Sequence, residues 1–367
     1  MKVIYVTANC ETVQTHLVQA LQLHGAQAEM FYHINRTRRL ESLNDIQRVN
    51  LSYRCPIWSK GPVFYLTRLY LAACNLVKQH RKTPPDILHG NMLFADGCIC
   101  RYAAKKFKIP YIVSVRDTDM HLMFLWKLPW LKRLGIKNLQ YASRVVFLGA
   151  AYREELLARL NPALAAQIRD KSVIIPNGID KYYLEHLFKK QTVPCDPIKL
   201  IMVGKVGPRK NPEAVLAAME LLKTRGTRTE FTVVGPIEVE SYRSLVTGRE
   251  DIHYLGKLPK EEVCKEYRKA DIFVVPSHTE TFGLVYAEAM SQGLPVIYTR
   301  GQGFDGQFPN GQIGYAVSDK DPAEIADRIA AIIENYKEIS DNCVAGAHRF
   351  DWGRIAQELI QVYSNAK

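Results

Sequence analysis

The chain has 367 residues, of which 47% are hydrophobic and 23% are charged. This composition is that of a globular protein, and the length exceeds one ordinary α/β core, so we expect two domains. The sequence has no run of about 18 apolar residues, which argues against a membrane-spanning helix. Residues 1–190 hold 28 Lys and Arg against 13 Asp and Glu, whereas residues 191–367 hold 21 against 24. The basic first half is expected to attract phosphates or anionic surfaces, and the acidic second half argues against nucleic-acid binding.

Two further features predict a cytoplasmic protein. Met1 and Lys2 run directly into a short apolar strand and then into polar residues 9–14, which is not the pattern of a secretory signal peptide. The eight cysteines form no C-x-x-C pair, and several lie in apolar surroundings, which predicts reduced thiols.

The first half alternates strands and helices, an order that predicts a parallel sheet. Predicted strands cover residues 3–6, 28–32, 87–88, 111–115, 143–148 and 172–176, and predicted helices cover residues 13–21, 62–80, 97–107 and 153–160. The turn at residues 8–11 lacks glycine, so the dinucleotide fingerprint is missing. Asn177 and Gly178 form the turn that ends this half.

Two segments of the first half are rich in basic residues. Residues 34–60 contain six Arg and Lys, and residues 121–137 interleave Phe, Trp and Leu with Lys and Arg. The first segment suits a solvated loop with a short helix, and the second suits either a core helix with solvated lysines or the plane of a bilayer interface. We expect both to make peripheral contact with an anionic membrane surface, with the packed and solvated alternatives left open.

The alternation restarts after residues 181–197, which include Pro194 and Pro197 and predict a linker. Predicted strands now cover residues 199–203, 230–234, 252–255 and 272–275, and predicted helices cover residues 212–223, 239–246, 260–269, 283–290 and 352–363. The loop at residues 204–210 (GKVGPRK) is basic, but its spacing is not that of a P-loop, and lysines are common in surface loops.

Residues 271–295 (DIFVVPSHTETFGLVYAEAMSQGLP) carry the strongest functional signal. A buried strand feeds a helix, and an N-cap is expected among residues 279–281. The N–H groups of residues 281–283 then lack intrahelical partners, which predicts a seat for phosphate. Glu280 and Glu288 lie eight residues apart around this seat, and because carboxylates repel phosphate they are expected to serve the hydroxyl groups of a sugar. The alternative is that Glu280 caps the helix and Glu288 is solvated.

Four stretches in this chain order resemble the donor site of the retaining glycosyltransferases of family 4: IPNGID (175–180), VGKVGPRKNPE (203–213), YRKADIFVVPS (267–277) and ETFGLVYAEAM (280–290). The resemblance covers nearly the full chain. It implies the GT-B fold, an α/β architecture of two doubly wound Rossmann-like lobes facing each other across a cleft. It further implies an N-terminal acceptor-binding domain over residues 1–180, a linker over 181–197, a donor-binding domain over 198–351, and a closing helix over 352–367 that packs back on the first domain.

The resemblance also implies roles for individual residues. Glu280 would contact the transferred sugar and Glu288 the nucleotide ribose. Lys205 and Lys210 would clamp the donor diphosphate, with Arg209 as an alternative for the second position because guanidinium groups bind phosphate in a bidentate manner. Further donor contacts would come from Gly204, Leu258, Thr281, Phe282, Gly283 and Leu284.

The polar residues after the strand at 111–115 admit two interpretations. In family 4 this strand end bears a His, or an Arg/His-Gly-x-Asp pattern, that faces the transferred sugar; Arg116 and Asp119 fit the second form, with Asp117 in place of the glycine, while His121 is out of register. Asp117-x-Asp119 also matches the metal–diphosphate motif of the other glycosyltransferase architecture, GT-A. We expect no metal and no cofactor, because two cations and a helix start already offset the charge of a departing diphosphate.

The expected function is that of a retaining hexosyltransferase. It would use a UDP- or GDP-sugar as donor and a lipid-linked or polysaccharide acceptor in bacterial cell-surface glycan synthesis (lipopolysaccharide, O-antigen or capsule), since GQGFDG (301–306) resembles members of that type. We expect it at the cytoplasmic face of the inner membrane. A nucleotide-sugar epimerase of the same fold is one alternative. A non-catalytic two-lobed sugar-binding protein is another, but such proteins need an export signal.

Overall fold

The computed structural model describes residues 1–8, 12–34, 51–54, 62–124 and 129–366. These residues form two compact units, each an α/β domain on a parallel sheet. Unit 1 comprises Met1–Leu148, Tyr152–Asn177 and Trp352–Lys367, and unit 2 comprises Gly149–Ala151 and Gly178–Asp351.

Unit 1 contains a seven-stranded sheet in which every described pairing is parallel. Its strands are β1 (Lys2–Thr7), β2 (Gln27–Ile34), β3 (Leu51–Arg54), β4 (Ile87–Gly90), β5 (Tyr111–Val115), β6 (Arg144–Phe147) and β7 (Ser172–Ile174), in the order β3-β2-β1-β4-β5-β6-β7. Its helices, with the start of α6 assigned to unit 2, are α1 (Thr12–Leu23), α2 (Pro62–Gln79), α3 (Ala95–Phe107), α4 (Asp117–Phe124), α5 (Pro129–Tyr141), α6 (Ala150–Ala158) and α7 (Pro162–Asp170).

Unit 2 contains a six-stranded parallel sheet in the order β10-β9-β8-β11-β12-β13. Its strands are β8 (Ile198–Val203), β9 (Thr229–Val234), β10 (Ile252–Gly256), β11 (Ile272–Val274), β12 (Val296–Thr299) and β13 (Gly314–Val317). Its helices are α8 (Lys181–Glu185), α9 (Pro212–Thr224), α10 (Arg243–Val246), α11 (Lys260–Lys269), α12 (Leu284–Ser291), α13 (Pro322–Glu334) and α14 (Tyr336–Ala347). Three-residue 3₁₀ turns occupy Pro208–Lys210, Glu240–Tyr242 and His348–Phe350.

The chain returns to unit 1 in α15 (Trp352–Ser364), which packs on α1. Both faces of the unit 1 sheet are therefore covered, and β1 is apolar on both. Ile4 and Val6 join the core beneath α2 and α3, whereas Val3 and Tyr5 join the core beneath α1 and α15. Burial on both faces explains why β1 has a continuous apolar run instead of an alternating one.

The two doubly wound sheets confirm the predicted fold class. The strand predicted at 111–115 and the helix predicted at 260–269 have the bounds of β5 and α11. The helix predicted at 239–246 is instead a 3₁₀ turn followed by the four-residue α10. The fold also contains α7, which the sequence analysis did not predict.

The stretch at 181–197, predicted as a linker, lies within unit 2. Lys190 explains how it is attached: its buried amine donates hydrogen bonds to the carbonyl oxygens of Tyr267, Arg268 and Ala270 at the C-terminal end of α11. These bonds satisfy carbonyl groups that the helix end leaves without intrahelical partners.

The two basic segments have different outcomes. Most of residues 34–60 lies outside the described residues, as do residues 125–128. In the described part of the second segment, Leu131 is buried in the unit 1 core, and Trp130 packs against that core and edge-on to Tyr65. The apolar side chains of α5 thus contribute to the core. Among the described helices, none is both long and apolar enough to cross a bilayer.

Candidate functional site

Three of the predicted donor residues, Arg209, Lys210 and Glu280, meet at the topological switch point of unit 2. The connections from β8 and β11 leave these neighbouring strands in opposite directions across the sheet, which opens a crevice at their carboxyl ends. Ligands of doubly wound folds bind in such crevices. The loop after β8 carries Lys205, Arg209 and Lys210, and the loop after β11 carries Glu280 and leads into α12.

A buried ion pair joins these two loops. The Lys210 Nζ lies 2.5 Å from Oε2 of Glu280, and the two side chains are 5% and 10% exposed. Burial lowers the pKa of Lys210, while the charge of Glu280 and the hydrogen bond between them oppose that shift. A cation in this position has lost its water, so its interaction with a phosphate group is stronger than that of a solvated lysine.

Arg209 belongs to the same cluster and Lys205 does not. The Arg209 Nη1 lies 3.4 Å from the Oε2 atom of Glu280 that Lys210 also contacts, and 3.3 Å from the carbonyl oxygen of Thr279. Lys205 is 64% exposed and its nearest carboxylate is that of Glu238, at 3.8 Å. The structure thus brings Arg209 and Lys210 together with Glu280 and leaves Lys205 at the surface.

Glycine is required at two positions of the cluster. Gly204 has φ +147°, and a Cβ there would lie 3.0 Å from Cε of Lys210. Gly283 has φ +79°, and a Cβ there would lie 2.3 Å from the ring of Tyr286 and 3.1 Å from Cγ of Glu280. A side chain at either position would displace the ion pair or strain the backbone.

The N-cap predicted among residues 279–281 is wrong. Helix α12 begins at Leu284, and its N-cap is Gly283, whose left-handed backbone sets the start of the helix without a capping side chain. The first N–H groups of α12 therefore lack a side-chain cap, as an anion seat requires.

Of the remaining predicted donor residues, Phe282, Thr281 and Leu284 lie next to Gly283 in the chain, whereas Leu258 follows β10. Phe282 is buried against Phe304 and Phe350, so its side chain is part of the core. Thr281 and Leu284 are half-buried beside Gly283. Leu258 is half-buried and follows β10, whose last residue, Gly256, accepts a hydrogen bond from the N–H of Gly235. Their roles toward a donor remain predictions.

Glu288 lies in α12 and has an unusual environment. Burial, with a smaller effect from the negative charge of Asp180, raises its pKa to about 7. The charge of Glu288 in turn raises the pKa of Tyr183 and Tyr267, so these side chains lie near it. A carboxyl group that titrates near neutrality and has no ion pair among the described residues is suited to bind hydroxyl groups.

Two residues that the sequence analysis missed hold the cluster in place. Asn211, buried and left-handed at φ +55°, donates to the carbonyl oxygens of Pro276 and Asp319 and so ties the Lys210 loop to the Glu280 loop. Gln302 Oε1 accepts from the N–H of Glu280 at 2.9 Å. The Asn in the KNPE run was a usable signal, since Asn tolerates the left-handed region; Gln302 carried none.

Arg116 and Asp119 lie in unit 1, at the carboxyl edge of its sheet. Arg116 donates through Nε and Nη2 to the backbone oxygen and Oδ1 of Asn91, and Tyr5 donates to the same Oδ1 at 2.6 Å. Asp119 is fully buried, and its Oδ2 accepts from the N–H groups of Arg116 and Leu93. Burial raises the pKa of Asp119 to about 7. These contacts give Asp119 a role in holding two loops, and its predicted sugar contact remains a prediction.

The same edge contains a pair that the sequence analysis missed. His33, at the end of β2, lies 2.6 Å through Nε2 from Oδ1 of the fully buried Asp96 in α3. Gly90 allows the start of α3 to lie close to β4, because a Cβ there would lie 3.1 Å from the backbone of Asp96. Within the described ranges, no group of three or more His, Cys, Asp or Glu side chains is placed to hold a metal ion.

Comparison with known families assigns both halves of the chain. Residues 10–182 match the model described as "Glycosyltransferase Family 4", and residues 185–349 match "Glycosyl transferases group 1". The first half of the chain is thus similar to family 4 glycosyltransferases, and the second half is similar to group 1 glycosyl transferases.

Individual relatives extend the comparison. A D-inositol 3-phosphate glycosyltransferase of Corynebacterium efficiens is 32% identical over 187 residues, 47% of this chain and 44% of the relative. A sulfoquinovosyl transferase of Arabidopsis thaliana is 27% identical over 297 residues, 77% of this chain and 54% of the relative. The chain spans about half the length of these curated relatives. The solved structure of Anabaena Alr3699/HepE in complex with UDP is 16% identical, covers 100% of both chains and superimposes with a TM-score of 0.72, a likeness that concerns the fold.

Proposed function

We propose that this chain, whose GT-B fold joins a family 4-like domain to a group 1 glycosyl transferase domain, transfers a sugar from a nucleotide-diphosphate sugar to an acceptor hydroxyl. The observation that carries the proposal is the buried Lys210–Glu280 pair at the switch point of unit 2, beside the uncapped start of α12. The names of the curated relatives, glycosyltransferases and a glycogen synthase, support the same reaction class.

The chemistry follows from the charges of this cluster. The bond between the anomeric carbon and the phosphate oxygen breaks, and its electron pair remains on the departing nucleotide diphosphate. Lys210, Arg209 and the N–H groups at the start of α12 stabilise that charge. The acceptor oxygen bonds to the anomeric carbon, and its proton passes to the departing phosphate. We propose that both events occur on one face of the sugar, so that the anomeric configuration is retained.

The two carboxyl groups bind the uncharged parts of the donor in this scheme. Glu280 accepts hydrogen bonds from hydroxyl groups of the transferred hexose, and Glu288 accepts from the ribose. The scheme uses no metal ion, because Lys210 and Arg209 already supply two positive charges. Turnover is therefore expected to be the same with EDTA as with added Mg²⁺ or Mn²⁺; a requirement for either metal would contradict this part.

For the acceptor we propose a lipid-linked or polysaccharide glycan of a bacterial cell surface, reached by peripheral contact with an anionic inner-membrane face. The support is the surplus of 15 positive charges in residues 1–190 and the resemblance of the GQGFDG stretch. Flotation with phosphatidylglycerol and phosphatidylcholine vesicles tests the membrane contact. Equal recovery with both lipids would contradict it.

The experiment that tests the function has two steps. The thermal midpoint of the protein is measured with UDP, GDP, ADP and no ligand; a ligand at about a hundred times its Kd stabilises the folded protein by ~2.7 kcal/mol. The matching nucleotide-sugars are then incubated with the protein and a bacterial glycolipid extract. A transferase releases free nucleotide when extract is added. An epimerase interconverts the sugar without releasing nucleotide, and a binding protein gives a midpoint shift without turnover.

A further inference from the structure

Unit 1 contains a cavity of about 550 Å³ at the amino end of β5, on the edge of the sheet opposite to Arg116 and Asp119. Three of its lining side chains are cations, Arg101, Lys105 and Lys108, all from α3 and the residue that follows it. No lining residue is acidic. Among the described residues, none of the three cations has an ion pair.

A second cavity has a different charge pattern. In unit 2 a cavity of about 710 Å³ also has three cationic lining residues, but four carboxylates accompany them. Its Arg249 bonds to Glu220 and Asp251, both at 2.7 Å, so its charges are matched internally. The cavity in unit 1 lacks such internal partners and therefore has a positive potential.

Two further cations strengthen that positive potential and hold the backbone of residues 140–143 in place. Lys171 donates to the carbonyl oxygens of Gln140 and Ala142, and Arg144 donates to that of Ser143, which lines the cavity. Neither has a carboxylate partner in the described part of the chain. Burial and the nearby charge of Arg144 lower the pKa of Lys171 to about 8.

The macrodipole of α3 explains why some of these cations, but not all of them, are favourable at their positions. Lys105 and Lys108 lie at the last turn of the helix, where cations offset the partial negative charge of the terminal carbonyl groups. Arg101 lies six residues before the last residue of α3, or ~9 Å along the axis, beyond the reach of that effect. Arg101 is half-buried, and its planar guanidinium can bind two oxygens of one phosphate.

We propose that this cavity is a binding site for a phosphate ester, either a soluble phosphorylated compound or the headgroup of an anionic lipid. Arg101, Lys105 and Lys108 bind the phosphate. Tyr141 contributes an aromatic ring that is 69% exposed, which offers a contact for the organic part of the ligand. The site is separate from the cluster of Arg209, Lys210 and Glu280 in unit 2, called here the donor cluster. The proposal therefore does not rest on the proposed transfer reaction.

The test uses glycerol 3-phosphate and vesicles of phosphatidylglycerol, with phosphatidylcholine vesicles as the uncharged reference. Binding is measured by calorimetry and by vesicle flotation for the full chain and for Arg101→Ala and Lys105→Ala. Each variant is expected to weaken binding about tenfold or more, because each removes a charge-assisted contact. Lys223→Ala, in the cavity of unit 2, removes the same charge and is expected to bind like the parent chain.

The outcomes separate the two sources of phosphate and the competing site. If the protein binds glycerol 3-phosphate and Arg101→Ala weakens this binding, the ligand is a soluble phosphate ester. If the protein binds only phosphatidylglycerol vesicles, and this preference depends on Arg101, the ligand is the lipid headgroup. Absence of binding to both probes overturns the proposal. Binding that Lys210→Met abolishes and Arg101→Ala leaves unchanged also overturns it, because the phosphate then occupies the donor cluster.

Discussion

Replacement of Lys210 by Met tests the donor cluster most directly. Met has a similar length and no charge, so it fills the space beside Gly204 but leaves the buried carboxylate of Glu280 without its close partner. Removing one member of a buried ion pair costs about 3–5 kcal/mol. Arg209, 3.4 Å from the same oxygen, offsets part of this cost. We therefore expect a loss of about 2–3 kcal/mol, which lowers the thermal midpoint by about 4–12 °C.

The same variant is expected to lose nucleotide affinity. A charge-assisted hydrogen bond contributes about 1.5–3 kcal/mol, so the Kd for the preferred nucleoside diphosphate should rise by about 10- to 150-fold. The added substitution Glu280→Gln removes the uncompensated carboxylate. The double variant should therefore recover most of the lost thermal stability without recovering the affinity, since the phosphate contact is still missing.

The assays are thermal unfolding followed by circular dichroism and calorimetric titration of the nucleotide. Lys190→Met is the matched control: it removes another buried lysine of unit 2, one that contacts the carbonyl oxygens of Tyr267, Arg268 and Ala270. It should lower the midpoint and leave the Kd unchanged. If the double variant binds nucleotide like the parent chain, Lys210 is not a phosphate ligand. If Lys210→Met melts at the parent temperature, the reasoning about the buried pair is wrong.

Three further predictions concern the predicted donor residues of unit 2. Gly283→Ala should lower both the thermal midpoint and the nucleotide affinity, because its Cβ would lie 2.3 Å from an aromatic ring, whereas Gly301→Ala, with the same φ of +79° and no atom within 4 Å, should leave the affinity unchanged. Lys205→Ala should change kcat/KM less than tenfold, because that side chain is 64% exposed, whereas Lys210→Ala should lower kcat/KM by well over tenfold. Nucleotide affinity should rise from pH 6 to pH 8, because Glu288 has a pKa of about 7 and its ionised form accepts hydrogen bonds from ribose; Glu288→Gln should flatten this profile.

The raised pKa of Glu288 also predicts how the thermal stability of the protein depends on pH. The pKa of Glu288 is higher in the folded chain than in the unfolded chain, so its contribution to stability is greatest under acidic conditions and is lost as pH rises through about 7. Glu288→Gln should therefore reduce the difference in thermal midpoint between pH 6 and pH 8. An unchanged difference would show that Glu288 is not the group that titrates.

Equal loss of affinity in the two glycine variants would contradict the steric argument for Gly283.

The fold was predictable because its strands are buried and bounded by clear breaks. β5 is a run of five buried residues followed by Arg116, and the polar residues of α11 alternate with buried Val263 and Tyr267 at helical spacing. Short elements were harder to predict. Residues 239–246 form a 3₁₀ turn and then only the four-residue α10. The stability of so short a helix depends on its packing, which helix propensity does not predict.

The site was predictable in composition but not in geometry. The resemblance to family 4 implied that Lys210, Arg209 and Glu280 belong to one donor site, and the structure brings them into one cluster. The sequence does not distinguish the roles of Lys205 and Lys210, because the difference depends on which side chain turns inward beside Gly204. It also could not reveal that Asn211 and Gln302 hold the loops, because these bonds join segments far apart in the sequence.

The return of α15 to unit 1 determines the order in which the nascent chain can fold. Ile355, Leu359 and Tyr363 complete the core that includes Val3 and Tyr5. A ribosome that has made all seven strands of unit 1 has not yet made α15, which together with α1 covers one face of their sheet. The main part of unit 2, Gly178–Asp351, emerges in between. Unit 2 can therefore finish folding while synthesis continues, and the unit that starts the chain is the last to be completed.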